Sequence, residues 1–117
     1  MLTDILQRLV WRITLIGTDG TFEQACRNIA LEVASTVIEK HKDYGPDNIL
    51  IFKEEGLIVR MWDKIGRLKH LLWGKKYPKN EAIEDSFTDL AGYAIIGLML
   101  QRECFTYKLE EDQYGKS

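Results

Sequence analysis

Apolar residues recur every three or four positions through most of this chain, the spacing that keeps them on one face of an α-helix. Leu6, Leu9, Val10 and Ile13 do so behind Thr3, a cap residue, and predict a first helix that GTDG at 17–20 breaks. A strand is the alternative there, because Val10, Ile13, Thr14 and Ile16 are β-formers. Thr21 caps the next helix, and Gln24 three residues on completes a capping box. Its apolar side is Ala25, Ile29, Val33 and Val37, and the pattern runs to about His41 before Gly45 and Pro46 stop it.

PDNILIFKEEG, at 46–56, reads as a short helix with Pro46 near its first turn and Gly56 beyond its end. The following helix runs from about Leu57 to Trp73, with a seam of Ile58, Met61, Ile65, Leu68 and Leu72. After the loop GKKYPKN, Asn80 caps a last helix from Glu81 to about Phe105. Its apolar run, Leu90 to Leu100, falls well short of the ~20 residues that span a bilayer and reads as a central core helix. The polar tail, about 108–117, is expected to fray. The expected fold is all-α, a bundle of four or five helices in one domain over residues 1–117.

Composition changes this picture little. The chain is 45% hydrophobic and 29% charged with a net charge of −2, which argues against a partner as long and anionic as a nucleic acid. Charge is unevenly placed, however. Arg60, Lys64, Arg67, Lys69, Lys75, Lys76 and Lys79 face only Asp63 over the same stretch, a local basic patch suited to a small anionic ligand. Cys26 and Cys104 lie inside apolar patterns without metal-site spacing and read as buried thiols of a reducing compartment. No basic–apolar–small segment opens the sequence, and a cytoplasmic location is expected, with no membrane partner.

Two acidic pairs carry the first chemical signal. Glu39 and Asp43 are four apart on one helix, with Glu32 and Thr36 continuing their stripe. Asp85 and Asp89 are four apart on the last helix, with Glu81 a turn earlier and Tyr93 and Ile96 downstream on the same face. Packed side by side, these helices bring four carboxylates together, and a hard divalent cation is the natural neutraliser. The bland alternative is that acids at a helix start serve the dipole and i,i+4 acids sit on a solvated face. Asp89, followed by an apolar run, is the residue that fits the alternative least.

The basic stripe Arg60, Lys64 and Arg67, with Lys69 beside it, is either a solvated face in which Asp63 pairs with an arginine or a phosphate-binding surface. Trp62 and Trp73 read as a stacking surface for a base or, more simply, as core or subunit contacts. His41 and His70 lack zinc-site spacing, and neither GxGxxG nor GxxxxGK[ST] is present. No nucleophile turn for Ser/His/Asp catalysis occurs either.

Together, EKHKDYGPDNI, GLIVRMWDKIGRLKHLL and EAIEDSFTDLAGYAIIGLML resemble the nucleotide-modification-associated domain of phages and bacteria, within the all-α, MazG-like nucleoside triphosphate pyrophosphatase superfamily. The likeness covers about residues 39–100. It implies a helical bundle that assembles as a homo-oligomer, dimer or tetramer. It also implies a Mg²⁺ site, or Mn²⁺ in its place, at which a nucleoside triphosphate is cut to monophosphate and pyrophosphate. By position, Glu39, Asp43, Asp85 and Asp89 become the metal ligands, with Asp85 and Asp89 catalytic. Arg60, Lys64, Arg67 and Lys69 meet the phosphates, and Tyr44 meets the base or sugar.

One position departs from the pattern. The superfamily's first motif commonly doubles its acid, whereas here Glu39 is followed by Lys40, which implies weaker metal binding. Two functional expectations result. One is a Mg²⁺-dependent pyrophosphohydrolase of phage or bacterial nucleotide metabolism. The other is a non-catalytic nucleotide-binding sponge that sequesters a signalling nucleotide in phage anti-defence.

Overall fold

The computed structural model describes residues 20–74 and 80–110, and these form four helices with no strand among them. They are α1 (Phe22–Tyr44), α2 (Asp47–Leu50), α3 (Lys53–Trp73) and α4 (Asn80–Gln101). The helix or strand expected after Thr3 and the frayed end of the tail lie outside the described residues. The chain divides into two compact units, residues 1–39 and 40–117, with the boundary inside α1. No described helix is long and apolar enough to cross a membrane.

In the first unit, the N–H of Gln24 donates to Thr21 Oγ1 at 3.2 Å, the cap that the sequence announces. The box is only half built. Gln24 Nε2 donates forward to Asn28 Oδ1 at 3.0 Å instead of returning to the cap. Val33 of the expected apolar side is buried, but Ile29 is exposed and the polar Asn28 is buried in its stead. Cys26, expected inside, is exposed. Thr36 Oγ1 donates to the carbonyl of Glu32, so this hydroxyl serves its own helix.

In the second unit, α1 ends as a left-handed glycine dictates. Gly45 has φ +69°, and its N–H donates to the His41 carbonyl at 2.9 Å. The Pro46 carbonyl then accepts from Ile49 and Leu50 to close α2. Gly56 is not the stop that its type suggested: α3 has already begun at Lys53. A Cβ at Gly56 would sit 2.9 Å from that of Phe52, so the glycine makes room for the base of the Phe52 side chain.

The core of this unit is Ile49, Leu57 and Phe105, with Leu50, Tyr93, Ile96, Met99 and Leu100 packed around it. α3 lies against α4, and the face it turns inward differs from the expected seam. Leu57 and Leu68 are buried and Met61, Lys64 and Leu71 half-buried, whereas Ile58, Ile65 and Leu72 are exposed. α4 stops at Gln101, four residues short of the expected Phe105. Glu103 takes φ +57°, its N–H donates to the Leu100 carbonyl, and that of Cys104 to the Met99 carbonyl. This double closure is a Schellman ending with a glutamate where glycine is usual, so no residue type marks it in advance. It returns Phe105 to the core, where its ring meets His41 edge-on at 5.3 Å. Gln101 Nε2 donates to Glu54 Oε2 at 2.6 Å, tying the end of α4 to the start of α3.

Candidate functional site

Three helices of the second unit deliver one charged side chain each to a common point. Lys40 comes from the last turns of α1, Lys64 from α3 and Asp89 from α4. Lys64 follows Met61 by three residues and precedes Leu68 by four, so helical geometry directs it inward with those apolar neighbours. Its long aliphatic stem suits that position while its ammonium seeks a partner. Asp89, four residues before the core-packed Tyr93, provides it.

Lys64 Nζ lies 2.9 Å from Asp89 Oδ2, and Lys40 Nζ donates to Asp89 Oδ1 at 3.1 Å. The side chains of Asp89 and Lys64 are 19% and 27% exposed, and that of Lys40 is 54% exposed. Two cations therefore grip one carboxylate, and the cluster carries a net positive charge. Burial pushes the Asp89 carboxyl upward, but the hydrogen bond from Lys64 and the charge of Lys40 outweigh it, so Asp89 titrates below its ordinary value.

Of the residues expected at a site, the structure brings Lys64 and Asp89 together. Asp85 is half-buried one turn before Asp89. Asp43 and Tyr44 are exposed at the end of α1, and Glu39 is exposed within the first unit. Arg60 is half-buried one turn before Lys64 and lines a groove of about 460 Å³ with Phe52, Gly56 and Leu57. Arg67 is exposed, and Lys69 places its Nζ 5.3 Å from the centre of the Trp73 ring. Trp62 and Trp73 are both exposed and belong to no core. Lys40 is the residue of this cluster that the sequence pattern did not single out. Its only signal was the cation standing where a second acid is commonly found.

As arranged, these residues do not fit Mg²⁺ or Mn²⁺. Among the described residues no three His, Cys, Asp or Glu side chains gather as metal ligands. Both oxygens of Asp89 are taken by ammonium groups. A divalent ion there would displace those bonds and face two cations at close range. The arrangement is better matched to an anion, since a phosphate offers two lysines the same paired oxygens that a carboxylate does. No protein-family model, curated protein or solved structure matches the chain.

Proposed function

We propose that this protein binds a nucleoside phosphate and holds it intact, with Lys40 and Lys64 as the phosphate-binding cations. The observation that carries this reading is the grip of two lysines, from two different helices, on the two oxygens of Asp89. In an acidic metal site that carboxylate belongs to the cation. Here a resident lysine satisfies it, and Lys40 comes from the very position where the resemblance would place an acid. A phosphate carries more charge than a carboxylate and exchanges with Asp89 for the same two donors. Arg60, one turn along α3, extends the cationic surface towards further phosphates. The nucleoside part of the proposal rests on the resemblance, and sequestration of a signalling nucleotide in the cytoplasm is the role that suits a site without turnover.

The second reading is the Mg²⁺-dependent pyrophosphohydrolase. It is favoured by Asp85 and Asp89, half-buried and one turn apart on α4. It requires both lysines to release Asp89.

One assay separates the two. Excess protein is mixed with canonical, modified and cyclic nucleotides, in Mg²⁺ and in EDTA. Every species is then measured before filtration, after it, and after denaturing the protein. Binding without turnover predicts one nucleotide lost on filtration and recovered intact, in EDTA as in Mg²⁺. A monophosphate that accumulates beyond the protein concentration, and only with Mg²⁺, would establish the hydrolase instead.

A further inference from the structure

The outer face of α3 is apolar and exposed. Ile58, Trp62, Ile65 and Leu72 follow one another at steps of four, three and seven, which places them in a single stripe, and all are exposed. Trp62 is 74% and Trp73 73% exposed, an unusual state for side chains with so much apolar surface. Val59 widens the stripe at its N-terminal half.

The order of residues along this face identifies the partner. Glu55 and Lys69 stand seven positions before and seven after Trp62 on the same stripe, both exposed. Val59 and Ile65 stand three on either side. Reversing the helix about Trp62 therefore sets apolar residues against apolar residues and Glu55 against Lys69. A parallel copy would instead oppose Glu55 to Glu55. The reversal also sets Ile58 opposite Gly66, a glycine in a helix interior whose missing Cβ would meet nothing within 4 Å inside the chain. Glycine is unfavourable at such a position unless something outside the helix needs the space.

We infer that α3 packs antiparallel against α3 of a second copy about a two-fold axis at Trp62, with Glu55 of each copy paired to Lys69 of the other. A two-fold interface must be self-complementary, and this stripe is so in apolar character, charge and relief. Its extent also suffices. Tryptophans contribute about 150–250 Å² each, and with the aliphatic residues the stripe approaches the roughly 800 Å² per partner of a standard interface. The contact of Lys69 with Trp73 lies along the same edge and orients the ammonium within the stripe.

Sedimentation equilibrium of the full chain over a range of concentrations tests this, with circular dichroism to verify folding. The wild type is expected at dimer mass at micromolar concentration. Glu55→Lys and Lys69→Glu, each placing like charges together, weaken the dimer about tenfold or more. The double variant Glu55→Lys/Lys69→Glu restores it. Trp62→Glu abolishes it while leaving the helical content unchanged. A wild type that stays monomeric throughout would overturn the inference and leave the stripe to a different partner. Single reversals without effect, or a double variant no better than the singles, would overturn the antiparallel pairing.

Discussion

The two long faces of α3 invert the usual rule for a helix. The face turned to α4 carries Leu57, Met61 and Leu68 but also a lysine, and the face turned away carries two tryptophans and no comparable core. Both are apolar at helical spacing, so both qualify as a seam by pattern. The difference lies in what each face meets. Inward, Lys64 is tolerated because Asp89 is waiting for it, and α4 supplies that carboxylate. Outward, Ile58, Trp62, Ile65 and Leu72 are exposed. A helix with two apolar faces has room for two neighbours: α4 takes one face, and the inferred second copy would take the other.

Core truncation separates the faces most sharply. Leu57 is 4% exposed, and Leu57→Ala should cost about 3 kcal/mol in urea unfolding. Its sequence neighbour Ile58, on the outer face, should change by no more than about 0.5 kcal/mol as Ala, measured at concentrations too low for self-association. Equal losses at the two positions would mean that the faces are not distinct.

Next in size is the ionic contact of the inner face. Asp89→Asn leaves Lys64 half-buried without a counter-charge and should cost about 2 kcal/mol near neutral pH. The carboxyl of Asp89 lies below its ordinary value in the fold. Its contribution is therefore complete above the unfolded value of about 4 and disappears as pH falls through the folded value. Wild type and Asp89→Asn should converge in stability as unfolding is followed from pH 6 down to pH 3, and parallel pH profiles would contradict the assignment. Lys40 is mostly exposed and its share is small, so Lys40→Gln should cost about 0.5 kcal/mol or less.

A gain of similar scale is expected at the end of α4. Glu103 holds φ +57°, where glycine is unstrained, and Glu103→Gly should raise stability by up to about 1 kcal/mol in thermal unfolding. That change removes no residue of the exposed stripe on α3 and should leave self-association untouched.

The helices were legible wherever local chemistry marks them. Thr21 caps and Gly45 stops α1 because a side-chain oxygen and a left-handed glycine act on their own turn. Gly56 misled because its absent side chain serves Phe52, a relation of packing and not of turn geometry. The end of α4 was invisible for the opposite reason, since Glu103 adopts a glycine's conformation. Met61 and Leu68 of the expected α3 seam do face inward, but Ile58, Ile65 and Leu72 were each read one position away from the inward residue, because pattern alone does not say which neighbour a face meets. At the site, Asp89 stood out as an acid ahead of an apolar run, and Lys64 as one of a basic stripe. That they would meet, with Lys40 completing the contact, depends on α3 and α4 packing and on the end of α1, which no local pattern encodes.

The most direct test is the affinity of Asp89→Asn for whichever nucleotide the wild type retains, measured by equilibrium dialysis in EDTA. In this account Asp89 competes with the phosphate for Lys40 and Lys64. Removing its charge should tighten binding severalfold, with the nucleotide still recovered intact. Binding lost in Asp89→Asn would contradict the account and make the carboxylate a ligand-holding group, as a metal-dependent hydrolase requires.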